Sequence, residues 1–152
     1  MSATGCSVLV VDDDASLRDT LREILREEGH CVLLAENGKQ ALEVLRAHED
    51  VAVVLLDLMM PVMNGLEFLA SKLRDPRISG IPVLLMTAHR QHTREIVGVS
   101  TIFAKPFTTP ALLGEVQRLC ERNAVRRRGG GGRSLRASGG KRGGSASSPA
   151  RA

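Results

Sequence analysis

The sequence predicts an α/β fold: a three-layer sandwich with a five-stranded parallel sheet covered by helices on both faces. Three observations lead there. Five short apolar runs alternate with amphipathic stretches along the 152 residues. The inner runs are almost unbroken in Val, Leu and Met, as strands buried on both faces must be. Polar and charged residues stand at the carboxyl ends of these runs, where open parallel sheets gather their ligands.

Strands are expected at Ser7–Val11, Cys31–Ala35, Val51–Leu56, Pro82–Met86 and Thr101–Ala104. Between the first two, Ala15–Glu28 repeats Leu17, Leu21, Ile24 and Leu25 at helical spacing, and Gly29 follows as a stop. Asn37-Gly38 opens a second helix with Leu42 and Leu45 on one face. Asn64-Gly65 opens a third, with Leu66, Leu69 and Leu73 expected inward. The stretch from Ala88 to Ser100 is the weakest and predicts a short or irregular helix around Thr93–Val97. Pro110 suits the first turn of a last helix, whose apolar face holds Leu112, Leu113, Val116, Leu119 and Cys120.

Charge divides the chain in two. Residues 1–122 hold all 17 acidic residues, whereas residues 123–152 hold eight of the 21 Lys/Arg and no acid. The formal charge of +4 therefore describes the tail and not the body. With one Leu among Arg, Gly and Ser, the tail has too little apolar surface to offset its ordering entropy and is expected to be disordered. The domains expected are 1–122, folded, and 123–152, a basic Gly/Ser/Arg-rich tail. Cys6, Cys31 and Cys120 form no CxxC pair, so they are expected as small packed thiols, with neither a zinc site nor a disulfide. No run approaches about 18 apolar residues and the first run has no basic start, so no membrane span or signal peptide is expected and the setting is expected to be cytoplasmic.

The chemistry lies at the strand ends. Strand one runs into Asp12, Asp13 and Asp14; strand three ends at Asp57; strand four ends at Thr87; strand five precedes Lys105-Pro106. The fold points these side chains into one shallow cleft. Clustered carboxylates raise each other's pKa unless a cation sits among them. A hard, oxygen-seeking ion such as Mg²⁺ suits that cluster. With Mg²⁺ and Lys105 offsetting Asp12, Asp13 and Asp57, the cleft is nearly neutral, and phosphoryl transfer to Asp57 becomes feasible. Taken singly, each residue has a plain reading. Asp14 fits a helix N-cap. Asp12 or Asp13 alone would serve as caps too, Thr87 as an ordinary strand residue, and Lys105 as a surface lysine.

The motifs "VVDDD", "LLDLMMPVMNG", "LLMTAH" and "AKPF" resemble the receiver domain of two-component response regulators, over about residues 6–122. That resemblance implies a flavodoxin-like, doubly wound (βα)5 fold and a phosphoryl group accepted on Asp57 from a histidine kinase or phosphotransfer protein. It implies Mg²⁺ held by Asp13, by Asp12 mainly through water, by Asp57 and by the backbone carbonyl of Met59. Thr87 would hydrogen-bond the phosphoryl group, Lys105 would pair with it, and the Lys105–Pro106 peptide would be cis. Met59 and His89 occupy the positions that tune hydrolysis in the family; read by itself, His89 is a solvated loop residue before it is one lining the cleft mouth. Apolar Met59 cannot position a water, so slow self-hydrolysis is expected.

Two features depart from the family. Ile102 stands where an aromatic switch residue is common, and Phe103, one place on, faces the other side of the strand. The connection from Thr87 to Lys105 is about four residues short. The leading expectation is a single-domain response regulator, not a metabolic enzyme, that acts by docking with a downstream protein. The alternatives are a receiver-fold scaffold without a switch and a nucleic-acid binder driven by the tail. A phosphohydrolase would need an acid two residues after Asp57, where Met59 stands.

Overall fold

The computed structural model describes residues 5–88 and 96–125. In chain order these form β1 (Ser7–Val11), α1 (Ala15–Glu27), β2 (Cys31–Ala35), α2 (Gly38–Ala47), β3 (Val51–Asp57), α3 (Gly65–Arg74), β4 (Val83–Thr87) and β5 (Thr101–Ala104). A last helix, α4, spans residues 109–125. The strands make one parallel sheet in the order β2-β1-β3-β4-β5. Strand β4 starts one residue later than the apolar run suggests. Pro82 has no N–H to give the ladder, although its carbonyl accepts from Val54 N at 3.0 Å.

The period of two sorts the strand side chains into two cores. Leu9, Val11, Val54, Leu56, Val83 and Leu85 pack under α2 and α3. Val8, Val10, Val53, Leu55, Leu84 and Met86 pack under α1 and α4. Strand β3, like β4, is buried from end to end, and Asp57 sits at its carboxyl end. Each fully buried Val or Leu contributes roughly 1.5–3 kcal/mol of transfer free energy.

Local signals fix the helix ends. Asp14 caps α1, its side chain accepting from Ser16 N and Leu17 N. Gly29 closes the same helix at φ 93°, a conformation that costs glycine little; it lets His30 N reach back to Leu25 O at 3.1 Å. Asn37 caps α2. Asn64 and Glu67 form a reciprocal capping box on α3. Thr108 Oγ1 accepts from Ala111 N at the start of α4.

Two expectations need correction. The inner face of α3 is Gly65, Phe68, Leu69 and Lys72, not Leu66, Leu69 and Leu73. Leu66 and Leu73 are about half exposed, while Phe68 is fully buried. Lys72 lies among them because its ammonium donates to Ser79 O at 3.0 Å. The thiols are not all separate either. Cys6 and Cys120 form a disulfide with Cα atoms 6.2 Å apart, and only Cys31 among the three is free and exposed. Their 114-residue separation hid a pairing that the topology makes, since β1 begins beside the last turns of α4. In the fourth connection, Ile96 and Val97 are not helical and lead into a turn at Gly98; residues 93–95 of the expected helix lie outside the described residues.

Helix α4 runs through residue 125 and buries Asn123; residues 126–152, most of the basic tail, lie outside the described residues. Among the described residues, no helix is long and apolar enough to cross a membrane. The corrected face of α3 has a measurable consequence. Phe68→Ala should cost about 3–5 kcal/mol in urea unfolding, and Leu66→Ala under about 1 kcal/mol. Equal costs would show that α3 is rotated from the position described.

Candidate functional site

The cleft is assembled by strand ends, and each side chain has a local reason for its place. Asp12 follows β1 directly and is almost fully buried. Its Oδ1 accepts from Asp14 N at 2.9 Å, and its backbone carbonyl accepts from Arg18 at 2.7 Å. Asp57 closes β3 and is 9% exposed. Thr87 closes β4, buried, and its carbonyl accepts from Lys105 N at 2.8 Å. Lys105 follows β5, and the Lys105–Pro106 peptide is cis.

These positions converge. Lys105 Nζ lies 3.5 Å from Asp57 Oδ1 and 3.6 Å from Asp12 Oδ2. One carboxylate oxygen from each of Asp12, Asp13 and Asp57 falls within 4.8 Å of the others. Burial pushes the Asp12 carboxyl up from its ordinary range, against the pull of the Asp14 backbone N–H and Lys105. Burial also raises Asp57, and the neighbouring Asp12 charge adds to the rise. Lys105 opposes both but does not cancel them.

The loop after Asp57 is held tightly. Gly65 N donates to Leu58 O at 2.9 Å, bringing the start of α3 against the end of β3. A Cβ on Gly65 would lie 2.8 Å from the Asp57 carbonyl oxygen, so only glycine allows that approach. Met63 N donates to Pro61 O at 2.7 Å, a γ-turn centred on Val62, whose φ of 69° is strained for a β-branched residue. Met63 O then accepts from Gly38 N at 2.8 Å, tying the loop to α2. Met59, two residues after Asp57, is 65% exposed. His89 lies outside the described residues.

The cluster fits a hard divalent cation by its own chemistry. Asp12 Oδ2 is buried and accepts no hydrogen bond among the described residues; its partner is the Lys105 charge at 3.6 Å. A buried carboxylate oxygen of this kind is costly unless a cation joins it. All three side chains offer oxygen, the donor that Mg²⁺ prefers. The loop geometry escaped sequence reading. The Asn64-Gly65 pair signals a turn, but nothing in it says that the glycine must touch Asp57.

The raised carboxyls give a signed pH effect. A carboxyl raised in the folded state destabilises the fold at neutral pH, and the penalty is relieved as pH falls through the raised value toward 3.8. Asp75 opposes this only in more acid solution, because hydrogen bonds from Arg77 hold it at about 2. In EDTA, Asp57→Asn should be more stable than the parent by on the order of 1 kcal/mol at neutral pH. The difference should shrink as pH falls through the raised value toward 3.8. Thermal unfolding of both proteins checks this; a variant less stable than the parent at neutral pH would contradict the assigned repulsion.

A model of the response regulator receiver domain matches residues 8–117. The transcriptional regulatory protein CpxR homolog of Haemophilus influenzae is 35% identical over 121 residues, 77% of this chain and 51% of that protein. The DNA-binding response regulator MtrA of Mycobacterium leprae is 36% identical over 120 residues, 76% of this chain and 52% of that protein. The chain spans about half the length of these relatives. Among solved structures, chemotaxis protein CheY4 of Vibrio cholerae aligns with a TM-score of 0.70 at 29% identity, covering 76% of this chain and 98% of that one. The receiver domain of sensor histidine kinase PA1611 of Pseudomonas aeruginosa, solved with magnesium in its active-site cleft, gives 0.71 at 26% identity, covering 77% and 98%. With the family match reaching from β1 into α4 and the fold shared almost along the full length of these neighbours, the chain belongs to the receiver domains of two-component response regulators, which signal through phosphorylation.

Proposed function

We propose that Asp57 accepts a phosphoryl group from a phosphohistidine of a histidine kinase or phosphotransfer protein, and that the phosphorylated chain signals by a changed affinity for a downstream protein. The observation that carries this is the meeting of Asp12, Asp13 and Asp57 with Lys105 at one end of the sheet. A carboxylate oxygen of Asp57 attacks phosphorus, the P–N bond breaks, and the imidazole leaves. Lys105 pairs with a phosphoryl oxygen and the Thr87 hydroxyl donates to another. Asp13, Asp57 and the Met59 carbonyl would hold Mg²⁺, with Asp12 acting through water. When bound, the ion supplies the positive charge that offsets the carboxylates and the incoming phosphoryl oxygens. The chain is a signalling module in this reading, and its proposed output is a docking event with a downstream protein.

Ile102 favours a second reading, a scaffold with no phosphorylation switch. It is an aliphatic residue, partly exposed, where the family commonly moves an aromatic ring, and Phe103 packs edge-on against Phe107 with ring centroids 5.8 Å apart. Nucleic-acid binding through the tail rests on composition alone, and nothing in the site supports it.

Incubation with a small acyl phosphate and Mg²⁺, followed by intact mass measurement, should add one phosphoryl group to the parent and none to Asp57→Asn. Lys105→Ala should slow the addition on the order of 100-fold. Phosphorylation that leaves every captured partner's affinity unchanged would favour the scaffold, and phosphorylation of Asp57→Asn would end the assignment. The lifetime of the adduct follows from Met59. Lacking a polar group to place water, the aspartyl phosphate should outlast a timescale of seconds, and Met59→Asn should shorten it; a half-life of seconds in the parent, read by the same mass measurement, would remove Met59 as the cause.

A further inference from the structure

The end of the sheet opposite Asp57 gathers a second cluster. Cys6 stands just before β1 and Cys120 in the penultimate turn of α4, and both pack in the core between the sheet and helices α1 and α4. His30, 5% exposed, joins them: one of its ring nitrogens and the two sulfurs lie within 4.8 Å of one another. A cleft of about 510 Å³ opens beside the pair, lined among others by Cys6, Gly29, Cys31 and Cys120. It is large enough to admit a small thiol.

We propose that Cys6 and Cys120 are a thiol-exchange site for low-molecular-weight disulfides, which makes and breaks the bond tying α4 to β1. Cys6 is half-buried and Cys120 is 5% exposed, so the incoming disulfide meets Cys6 first. The Cys6 thiolate attacks one sulfur of the small disulfide, forming a mixed disulfide and releasing one small thiol. The Cys120 thiolate then attacks Cys6 Sγ, closes the bridge and releases the second. Two protein thiols are oxidised, the small disulfide takes up two electrons, and the two protons leave on the departing thiols.

The geometry favours this chemistry over a metal site. His30 Nδ1 accepts from Cys6 N at 3.1 Å, so its lone pair is engaged and the other ring nitrogen carries the proton. Burial lowers the pKa of that imidazole, which favours its neutral form. Cys31 is not the natural partner, because its register with Ser7 sets it on the opposite face of the sheet from Cys6. The bond joins residues 114 apart in sequence, so its formation restricts most of the unfolded chain. It lies a full strand, roughly 20 Å, from the acidic cleft, and acts on the anchoring of α4 and not on phosphoryl chemistry.

The full chain equilibrated in glutathione buffers of graded oxidation, then alkylated and digested, should yield a linked Cys6–Cys120 peptide that disappears reversibly on reduction. The oxidised form should melt roughly 10 °C above the reduced form. Cys31→Ser should keep both behaviours, whereas Cys6→Ala and Cys120→Ser should each abolish the shift. Full alkylation of Cys6 and Cys120 at every glutathione ratio would overturn the proposal. So would a bridge to Cys31, or one zinc ion per chain retained by the reduced protein through gel filtration.

Discussion

Mutual repulsion among carboxylates at the sheet's carboxyl edge is the constraint on which this structure turns. Asp12 and Asp57 are buried together, and Lys105, at 3.5 and 3.6 Å, is their shared counter-charge. Burial and proximity raise both acids, and one ammonium cannot neutralise three carboxylates. The fold tolerates this because two apolar cores, one on each face, hold the strands in place whatever their tips carry. Stability is set in the middle of the sheet and chemistry at its edge. The excess negative charge suits the cleft to a cation and, in the proposed reading, to a phosphoryl group beside it.

The acids are held there by backbone more than by one another. Asp12 is fixed from both sides, by the Asp14 N–H on its carboxylate and by Arg18 on its carbonyl. Asp57 is fixed by the close approach of Gly65 and by the capping box that anchors α3. Asp14 shows how three consecutive acids divide their work. It caps α1 with its own side chain and uses its N–H to orient Asp12. A site whose acids repel needs such supports, because the single Lys105 ammonium does not offset their repulsion.

Much of this was legible in the sequence, and the limits have physical causes. The strands were readable because burial on both faces leaves long apolar runs, and β1, β2 and β5 begin and end where those runs do. The convergence of the strand-end acids with Lys105 followed from parallel topology alone. Helix α3 was misread because its three leucines satisfy one helical face, while the true inner face uses Phe68 and a lysine whose ammonium finds Ser79 O. No pattern of hydrophobicity announces a buried lysine. The Cys6–Cys120 bond was invisible for another reason: spacing rules see nearby cysteines, and these two meet only through the fold. His30 likewise gains its place from the helix-ending turn at Gly29, a relation between backbone and side chain that composition does not record.

In the proposed reading the acidic cluster is a cation site whose ligands compete with protons. A calorimetric titration of the full chain with Mg²⁺, repeated at several pH values, tests this most directly. One ion per chain should bind, with affinity falling as pH drops from neutrality through the raised values of Asp12 and Asp57. Absence of binding, or binding indifferent to pH across that range, would contradict it.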